Sequence, residues 1–293
     1  MLGLRPWPRL LKKKGIWVIS VPKLSILNTP LAIGPGQFAV PDAIDERVRH
    51  AAYLEGSPHW DWHSHAEAQW IAAGDSIVVL ETEEAAWLAL PGQALLVASA
   101  ARHHVSLVGA RKVPSLYLAP SAFPPSPDAS CRLLAVTPLM AAAVAALIAD
   151  VPPIARVPSA RARVLCDLII DELSRPDLAP MRLPIPEDRG LRRLCGRLRE
   201  RPGDPRDVDA CAALAGMSRR TFTRRFRQET GETFVEWRRR ARVMEALKLQ
   251  ARGETAKRIA TVTGYPNVQA LYAEARHVLG ASLKSYSPSG ARA

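Results

Sequence analysis

Residues 210–231 read ACAALAGMSRRTFTRRFRQETG and predict two short helices joined by a tight turn. Gly216 provides the positive φ that such a turn needs. Ser218 is a good N-cap for the second helix, in which Phe222 and Phe226 lie at i, i+4 and share one face. The other faces of that helix carry five arginines, Arg219, Arg220, Arg224, Arg225 and Arg227. A basic helix anchored by two aromatic side chains suits the DNA major groove, although a solvated surface helix would show the same pattern.

The charge of the chain is concentrated in its C-terminal third. From Glu187 onward there are 23 Lys+Arg against 12 Asp+Glu, which accounts for +11 of the formal net charge of +12. This asymmetry indicates that one domain binds a polyanion and that the other does something else. No apolar run approaches the ~20 residues of a membrane span, so we expect no membrane partner. The spacing of the cysteines fits no metal or redox motif and indicates reduced thiols in a cytoplasmic protein; they are Cys131, Cys166, Cys195 and Cys211.

Residues 41–136 have the pattern of an all-β barrel or sandwich. Short apolar segments such as SIVVL, AWLAL and SLYLA are separated by Gly, Pro and acidic turns. His63 and His65 lie two residues apart and therefore on one side of a strand. His103 follows about forty residues later, where a barrel would bring it alongside them. Three converging imidazoles suit a divalent transition metal, while the alternative is that they only satisfy hydrogen bonds in the core.

These histidines resemble the motif of the cupin barrel, in which H-x-H is followed by a carboxylate and, after a P-x-G turn, by a further histidine. The resemblance implies a cupin-like sensor barrel with a metal held by His63, His65 and His103. The sequence departs from the motif at two places: Gln69 stands near the glutamate position, and residues 98–100 read Ala-Ser-Ala where the turn is expected. Four tryptophans nearby either line an apolar ligand pocket or belong to the core; they are Trp60, Trp62, Trp70 and Trp87.

The segments that flank this region are simpler. Residues 1–40 read as an irregular basic leader. Residues 137–174 predict two helices, over Pro138–Asp150 and Ser159–Ser174, which either pack on the barrel or form the seam of a homodimer. Residues 175–186 contain four prolines and read as an extended interdomain linker.

Residues 187–286 predict an all-α domain that contains the opening stretch and a second copy of it. Ala260 and Gly264 repeat the spacing of Ala212 and Gly216, 48 residues later, and Asn267 is the new N-cap. A long helix from about Thr233 to residue 251 joins the two copies. Two such units on one rigid connector would present two reading helices about 34 Å apart, one turn of B-DNA. Residues 287–293 form a tail.

The two segments LAGMSRRTFTRRFRQETGETFVEWRRRAR and GETAKRIATVTGYPNVQALYAEARHVLGASLKSY resemble the AraC/XylS family of transcription regulators. The resemblance implies a sensor barrel followed by a DNA-binding domain with two helix-turn-helix units. It also implies base contacts from the exposed early positions of each recognition helix. In the first unit these are Arg220, Thr223 and Arg224, and in the second they are Val268, Gln269, Tyr272 and Ala273.

The second unit departs from the family pattern. Ala275 replaces an expected aromatic residue, and Glu274 is expected to face the DNA and repel phosphate. We therefore expect the first helix to carry most of the affinity. Salt-dependent affinity would come from phosphate contacts of Arg219, Arg225, Arg227 and the arginines of 238–242.

The sequence thus predicts an α+β multidomain protein that binds operator DNA as a regulator and is not an enzyme. A small molecule or metal would be its effector, and RNA polymerase would be a partner if it activates transcription. Two alternatives remain. A metal-dependent cupin enzyme with a basic appendage would need a complete ligand set and an open coordination position. A non-specific DNA-binding protein would bind any duplex equally well.

Overall fold

The structure, a computed structural model, describes residues 10–13, 16–19, 44, 46–55, 59–109, 112–122, 130–150, 159–179 and 181–286. Residues 1–37 form a compact unit of their own, which contains a hairpin of Leu10–Lys13 (β1) and Ile16–Ile19 (β2). The rest of the expected leader, like the expected tail, lies outside the described residues. None of the described helices is long and apolar enough to cross a membrane.

Ten further strands follow in the second unit and form two antiparallel sheets of five strands each. In chain order they are Val48–Glu55 (β3), His59–His63 (β4), Ala68–Ala72 (β5), Ile77–Thr82 (β6), Ala85–Ala89 (β7), Gln93–Val97 (β8), His103–Val108 (β9), Lys112–Leu118 (β10), Cys131–Ala135 (β11) and Arg182–Pro184 (β12). The first sheet has the order β11-β8-β5-β10-β3 and the second has the order β12-β7-β6-β9-β4. We call these two sheets the β domain.

The expected cupin-like barrel is not closed, because the described strands form two sheets that do not join into one. β7 pairs with β6 along one edge and with β12 along the other, while β8 pairs with β5 and β11. Strands whose two edges are both occupied cannot also pair with each other, so β7 and β8 leave the seam between the sheets open. The strand that blocks this edge, β12, comes from the stretch expected to be an unpaired linker.

Side chains alternate between the two faces of each strand, as the pleat requires. Ile71, Val78 and Leu95 point into the space between the sheets and belong to one apolar cluster. Their neighbours point outward: Trp70 belongs to a cluster on the outer face of the first sheet, and Val79 to one on the outer face of the second. Both sheets are therefore apolar on both faces and need a cover on each outer side.

Two helices, Pro138–Asp150 (α1) and Ala160–Leu173 (α2), cover the outer face of the first sheet. Met140, Val144 and Leu147 of α1 are buried against it, each contributing about 1.5–3 kcal/mol relative to exposure. The bounds of α1 are those predicted. Ser159 caps α2 as expected, since its side chain accepts a hydrogen bond from the backbone N–H of Ala162. The helices thus pack on the β domain, and the homodimer seam stays a prediction.

The remaining helices form a helical domain that covers the second sheet. They are Arg189–Glu200 (α3), Val208–Leu214 (α4), Arg219–Thr230 (α5), Phe234–Ala251 (α6), Ala256–Thr263 (α7), Val268–Leu279 (α8) and a final 3₁₀ turn, Leu283–Tyr286. Polar N-caps start the six α-helices, because each cap accepts a hydrogen bond from a backbone N–H of the first turn. These caps are Asp188, Asp207, Ser218, Thr233, Thr255 and Asn267.

The β domain and the helical domain share one apolar core. Val79 and Leu183 of the second sheet belong to the same buried cluster as Ala241 and Met244 of α6. The indole Nε1 of Trp237 donates a hydrogen bond of 2.8 Å to the carbonyl oxygen of Pro184 at the end of β12. The helical domain is thus packed directly on the sheet that contains β6 and β9.

Candidate DNA-binding surface and histidine centre

α4 and α5 form the first helix pair, which the opening sequence predicted. Gly216 lies in the turn between them with φ 75°, and the Ser218 hydroxyl accepts a hydrogen bond from the N–H of Thr221. Phe222 and Phe226 are fully buried, with their ring centroids 5.0 and 5.4 Å from that of Phe234 on α6. This aromatic contact fixes one face of α5 against α6 and turns the opposite face to solvent.

The solvent face of α5 carries Arg220, Thr223, Arg224 and Arg227, all exposed. Among the residues that the structure describes, none forms an ion pair with these three arginines. The Thr223 hydroxyl donates to the carbonyl oxygens of Arg219 and Arg220, at 3.0 and 3.3 Å. Its methyl group is therefore the part left to contact a ligand, and the three guanidiniums are available to an external anion.

Two other arginines of α5 already have partners. Arg219 pairs with Asp209 of α4 at 2.8 Å, an exposed ion pair of small energy that DNA could easily replace. Arg225 pairs with Asp188 at 2.9 Å and with Glu229 at 3.2 Å. Since Asp188 is the N-cap of α3, Arg225 links α5 to α3, and the expected phosphate contact of this residue is not what the structure favours.

Two arginines of α6, Arg238 and Arg242, are half-buried and donate to backbone oxygens. Arg238 donates to the carbonyl oxygens of Asp204 and Arg206, and Arg242 donates to those of Pro202 (2.9 Å) and Asp204 (3.3 Å). These bonds hold the loop between α3 and α4 against α6. Each of these guanidiniums already donates to backbone oxygens, so the structure favours a role in the fold over the expected phosphate contact.

Arg240 of the same helix anchors the strand that joins the two domains. It pairs with Glu232 at 3.0 Å and donates to the carbonyl oxygen of Arg182 in β12 at 3.2 Å. Burial raises the pKa of Glu232, and the nearby Arg240 counteracts that rise. Arg240 therefore also serves the fold and not a DNA surface.

α7 and α8 form the second helix pair, in which Gly264 occupies the turn with φ 76°. The Asn267 side chain accepts a hydrogen bond of 2.8 Å from the N–H of Ala270. Gln269 and Ala273 are exposed on α8, while Val268 and Tyr272 are half-buried. The four residues expected to face DNA thus lie on the outer half of α8, with two of them partly covered.

The structure corrects the role expected for Glu274. Its carboxylate lies 3.3 Å from the guanidinium of Arg239 on α6, and its side chain is only 22% exposed. Burial raises the pKa of the neighbouring Tyr265 phenol to about 12, and Glu274 adds to the rise. Because Glu274 faces α6, it joins α8 to α6 and does not repel phosphate from the solvent side.

In the β domain, the chain brings together the three histidines that the sequence singled out. His63 ends β4 and lies opposite His103 at the start of β9 in the sheet register. His65 follows just beyond the end of β4, with its ring centroid 5.2 Å from that of His103. One ring nitrogen from each residue lies within 4.8 Å of the other two, so the predicted convergence is confirmed. We call these three residues the histidine centre.

Backbone carbonyls orient all three rings through the same nitrogen. Nδ1 of His63 lies 2.6 Å from the carbonyl oxygen of Asp61, that of His65 lies 2.8 Å from Glu67 O, and that of His103 lies 2.8 Å from Ala101 O. A carbonyl oxygen only accepts, so each Nδ1 must carry a proton. Nε2 is then the nitrogen whose lone pair can accept a hydrogen bond or ligate a metal whenever the ring is neutral.

Burial keeps two of these rings neutral. It lowers the pKa of His65 and lowers that of His103 to about 3, and for both rings the hydrogen bond to a backbone carbonyl opposes the shift. A neutral imidazole whose Nδ1–H is held by a carbonyl is the usual state of a metal-ligating histidine. Ligand nitrogens of a tetrahedral zinc site lie about 3.3 Å apart, given Zn–N bonds of about 2.0–2.1 Å, so the rings need only a small closure to fit.

Gln69 of β5 lies beside this centre, at the position where the cupin motif has a glutamate. One end of its amide is 3.2 Å from Nε2 of His65 and 3.2 Å from Nε2 of His103. The other end is 3.1 Å from the Ser115 hydroxyl and 3.0 Å from the Tyr117 hydroxyl. The cupin-like motif draws attention to Gln69 but not to Ser115 and Tyr117. These two residues lie on β10 and reach the centre only through the pairing of β5 with β10.

The tryptophans do not surround one pocket. Trp70 lies on the outer face of the first sheet beneath α1 and α2, whereas Trp87 points between the sheets. Trp62 is 41% exposed, and the Arg102 guanidinium lies 5.0 Å from its ring. They are core and surface residues, so the pocket alternative is not supported. All four cysteines are buried, as expected for core thiols, and none forms a disulfide within the described residues.

Known proteins are similar to this chain in two ways: one family matches the helical domain, and one regulator matches most of the chain. Residues 211–288 match the family described as a helix-turn-helix domain. The HTH-type transcriptional regulator NimR of Escherichia coli (strain K12) is 24% identical over 237 residues, which cover 78% of this chain and 85% of that regulator. The helical domain is therefore an AraC-type helix-turn-helix domain, and the chain is similar to HTH-type transcriptional regulators over most of its length.

Other AraC-type proteins match over shorter stretches or at lower identity. The HTH-type transcriptional regulator RipA of Corynebacterium glutamicum is 30% identical over 104 residues, which cover 36% of this chain and 31% of RipA. The DNA-binding domain of AdpA, solved in complex with a target DNA, is 34% identical and covers 32% of this chain and 86% of that domain, with a TM-score of 0.31. ToxT from Vibrio cholerae O395 is 9% identical and covers 82% of this chain and 97% of ToxT, with a TM-score of 0.36.

Proposed function

We propose that this protein regulates transcription by binding specific DNA through two helix-turn-helix units and by sensing a divalent transition metal in its β domain. The observation that carries the DNA-binding part is the solvent face of α5. Three guanidiniums without an ion-pair partner among the described residues lie on a helix whose other face is locked by buried phenylalanines. Such a face is preorganised for a polyanion because no internal bond has to break before binding.

The exposed residues of α5 fall into two groups, those suited to contact bases and those suited to contact phosphates. Arg220 and Arg224 are suited to guanine O6 and N7, and each bidentate contact of this kind discriminates against a wrong base by about 1–3 kcal/mol. The methyl group of Thr223 is suited to a thymine methyl, since its hydroxyl is occupied by the backbone. Arg219 and Arg227 would contact phosphates and add salt-dependent affinity that carries no sequence information.

The second helix pair would add a weaker reading helix. Gln269 is exposed near the start of α8 and suits adenine, while Tyr272 is half-buried. α6, which connects the two pairs, has 18 residues and so a length of about 27 Å. A connector of this length is compatible with two reading helices in successive major grooves on one side of the duplex.

The sensing part of the proposal rests on the histidine centre. Backbone carbonyls orient its three rings, as is usual for metal-ligating histidines, and one nitrogen of each ring lies within 4.8 Å of the other two. The space between the sheets is filled by apolar side chains such as Ile71, Leu80 and Leu95. A single ion fits this site better than an organic effector does.

DNA selection from a genomic library tests the whole proposal. The full-length protein would be used at physiological salt, with and without added Zn²⁺, Co²⁺ or Ni²⁺. We expect a small set of sequences that share a motif, and an occupancy that changes with the metal. Equal recovery of all sequences would contradict specific reading and favour a non-specific DNA-binding protein. Specific binding that no metal alters would support the DNA-binding part of the proposal and contradict the metal-sensing part.

A further inference from the structure

Hydrogen-bond donors are missing around Gln69 if its carbonyl oxygen faces the histidines. His65 and His103 each use their one proton at Nδ1, where a carbonyl oxygen accepts it. Their Nε2 atoms then carry lone pairs, and both lie 3.2 Å from the same end of the Gln69 amide. An oxygen at that end would place three acceptors together with no hydrogen between them, which is repulsive in a buried site.

The opposite orientation of the amide satisfies every group. With the NH₂ end toward the histidines, one N–H donates to Nε2 of His65 and the other to Nε2 of His103. The carbonyl oxygen then accepts from the hydroxyls of Ser115 and Tyr117, which lie at hydrogen-bonding distance. Burial raises the pKa of Tyr117 to about 12, so its phenol keeps the proton that this bond requires.

A bound cation reverses the preference. Its ligands are the Nε2 lone pairs, so N–H donors pointing at the same place would be repelled, while a carbonyl oxygen is a suitable ligand. The hydroxyls of Ser115 and Tyr117 allow the change, because each can accept as well as donate. With the NH₂ end on β10, Gln69 donates to both hydroxyls while its carbonyl oxygen faces the ion. The amide thus has two hydrogen-bonded orientations within one set of neighbours.

We propose that Gln69 is a two-position side chain that occupies the metal site with its N–H groups when no ion is bound and turns its carbonyl oxygen toward the ion on binding. This inference rests on the metal sensing proposed above. The exchange makes binding weaker than a glutamate would allow, because two hydrogen bonds to the histidines must be given up and no negative charge is gained. Weaker binding suits a sensor that has to release its effector.

Nuclear magnetic resonance on the full-length metal-free protein tests the first position. With ¹⁵N-labelled histidine, we expect the Nδ1–H tautomer at both His65 and His103. With labelled glutamine, we expect nuclear Overhauser contacts from the Gln69 amide protons to the imidazole protons of those two residues. The Nε2–H tautomer at either histidine, or Gln69 amide protons next to the Tyr117 ring only, would overturn the proposal.

Addition of Zn²⁺ tests the second position on the same sample. The amide protons of Gln69 should lose their contacts with the imidazoles and gain contacts with the ring of Tyr117, while the Nδ1–H signals persist. An amide that keeps its contacts with the imidazoles while Zn²⁺ is bound contradicts the turn. Failure of Zn²⁺, Co²⁺ and Ni²⁺ to bind would overturn both the turn and the proposed sensing, whereas the metal-free spectra would still decide the first position.

Titration calorimetry of Zn²⁺ on the full-length protein gives a further check with a matched control. Gln69→Glu removes the N–H donors and adds a charged ligand, so affinity should rise by about 10–100-fold. Gln93→Glu is the control, because Gln93 lies on β8 and accepts a bond from the N–H of Leu90 that a carboxylate can also accept. We expect that variant to bind Zn²⁺ as the unmodified protein does. An unchanged or weaker affinity of Gln69→Glu would count against the proposal.

Discussion

Glu81 of β6 forms an ion pair with Arg199 of α3, across the boundary between the β domain and the helical domain. Glu81 also lies opposite His104 in the register of β6 and β9, and His104 is the next residue after His103 of the histidine centre. A single strand therefore connects the proposed metal ligands to the contact that holds α3. A shift of β9 on metal binding would be passed through β6 to this ion pair.

The first prediction concerns this ion pair. Glu81→Gln should reduce the effect of Zn²⁺ on DNA affinity by about twofold to fivefold, the range expected for a partly exposed pair. Fluorescence anisotropy with the selected DNA, with and without Zn²⁺, measures the effect. Glu83→Gln is the control, since Glu83 pairs with Arg102 at 3.4 Å on the exposed surface. Equal responses in both variants would mean that the signal does not pass through Glu81.

The second prediction concerns base reading by α5. Arg224→Ala should weaken binding to the selected DNA by about 5- to 150-fold, the loss of one bidentate base contact of about 1–3 kcal/mol. The fold should persist, because the Arg224 side chain is exposed and has no ion pair among the described residues. Competition binding with specific and random duplexes measures the ratio. Arg227→Ala, which would remove only a phosphate contact, should weaken binding to both duplexes equally and lower the slope of log affinity against log salt by about one unit. If Arg227→Ala lost specificity and Arg224→Ala weakened both duplexes equally, the two roles would be exchanged.

The third prediction concerns Glu274. If this residue faced DNA, replacing it with alanine would strengthen binding. Since it pairs with Arg239 instead, Glu274→Ala should lower the free energy of unfolding by about 1 kcal/mol and should not strengthen DNA binding. Urea denaturation and anisotropy together separate the two cases. A variant of unchanged stability that binds DNA more tightly would restore the repulsive role.

The fourth prediction compares the turn glycines of the two helix pairs. Gly216 and Gly264 have nearly the same φ, 75° and 76°. A Cβ on Gly216 meets nothing within 4 Å, whereas one on Gly264 would lie 2.8 Å from the Cα of Gly203. Gly216→Ala should therefore cost about 1–2 kcal/mol of backbone strain. Gly264→Ala should cost about 1–3 kcal/mol more, because two backbone segments must separate. Urea denaturation measures both, and equal losses would show that the close approach at Gly203 is not maintained.

Much of the local structure, such as helix starts and helix faces, could be predicted from the sequence, because it depends on residues close together in the chain. Ser218 and Asn267 start their helices through bonds to N–H groups three residues ahead, and Phe222 and Phe226 meet on one face because of the helical repeat. Such relations depend on neighbours within about one turn and are the same in any fold. The recognition of His63, His65 and His103 as one site also came from the sequence, through strand alternation and motif spacing.

The tertiary structure alone decided which partner each long polar side chain takes. Arg238, Arg242 and Glu274 looked like DNA-facing charges, yet each reaches a group far along the chain, and a flexible side chain is satisfied by whichever partner the fold brings near. The same holds for β12, which closed the edge of β7 and kept the barrel open, and for Gln69, whose role depends on hydroxyls from another strand. Helix starts and apolar helix faces were thus determined by residues within about one turn of each other. The hydrogen-bond partners of long polar side chains, and the strand that pairs with each sheet edge, were determined by packing between distant parts of the chain.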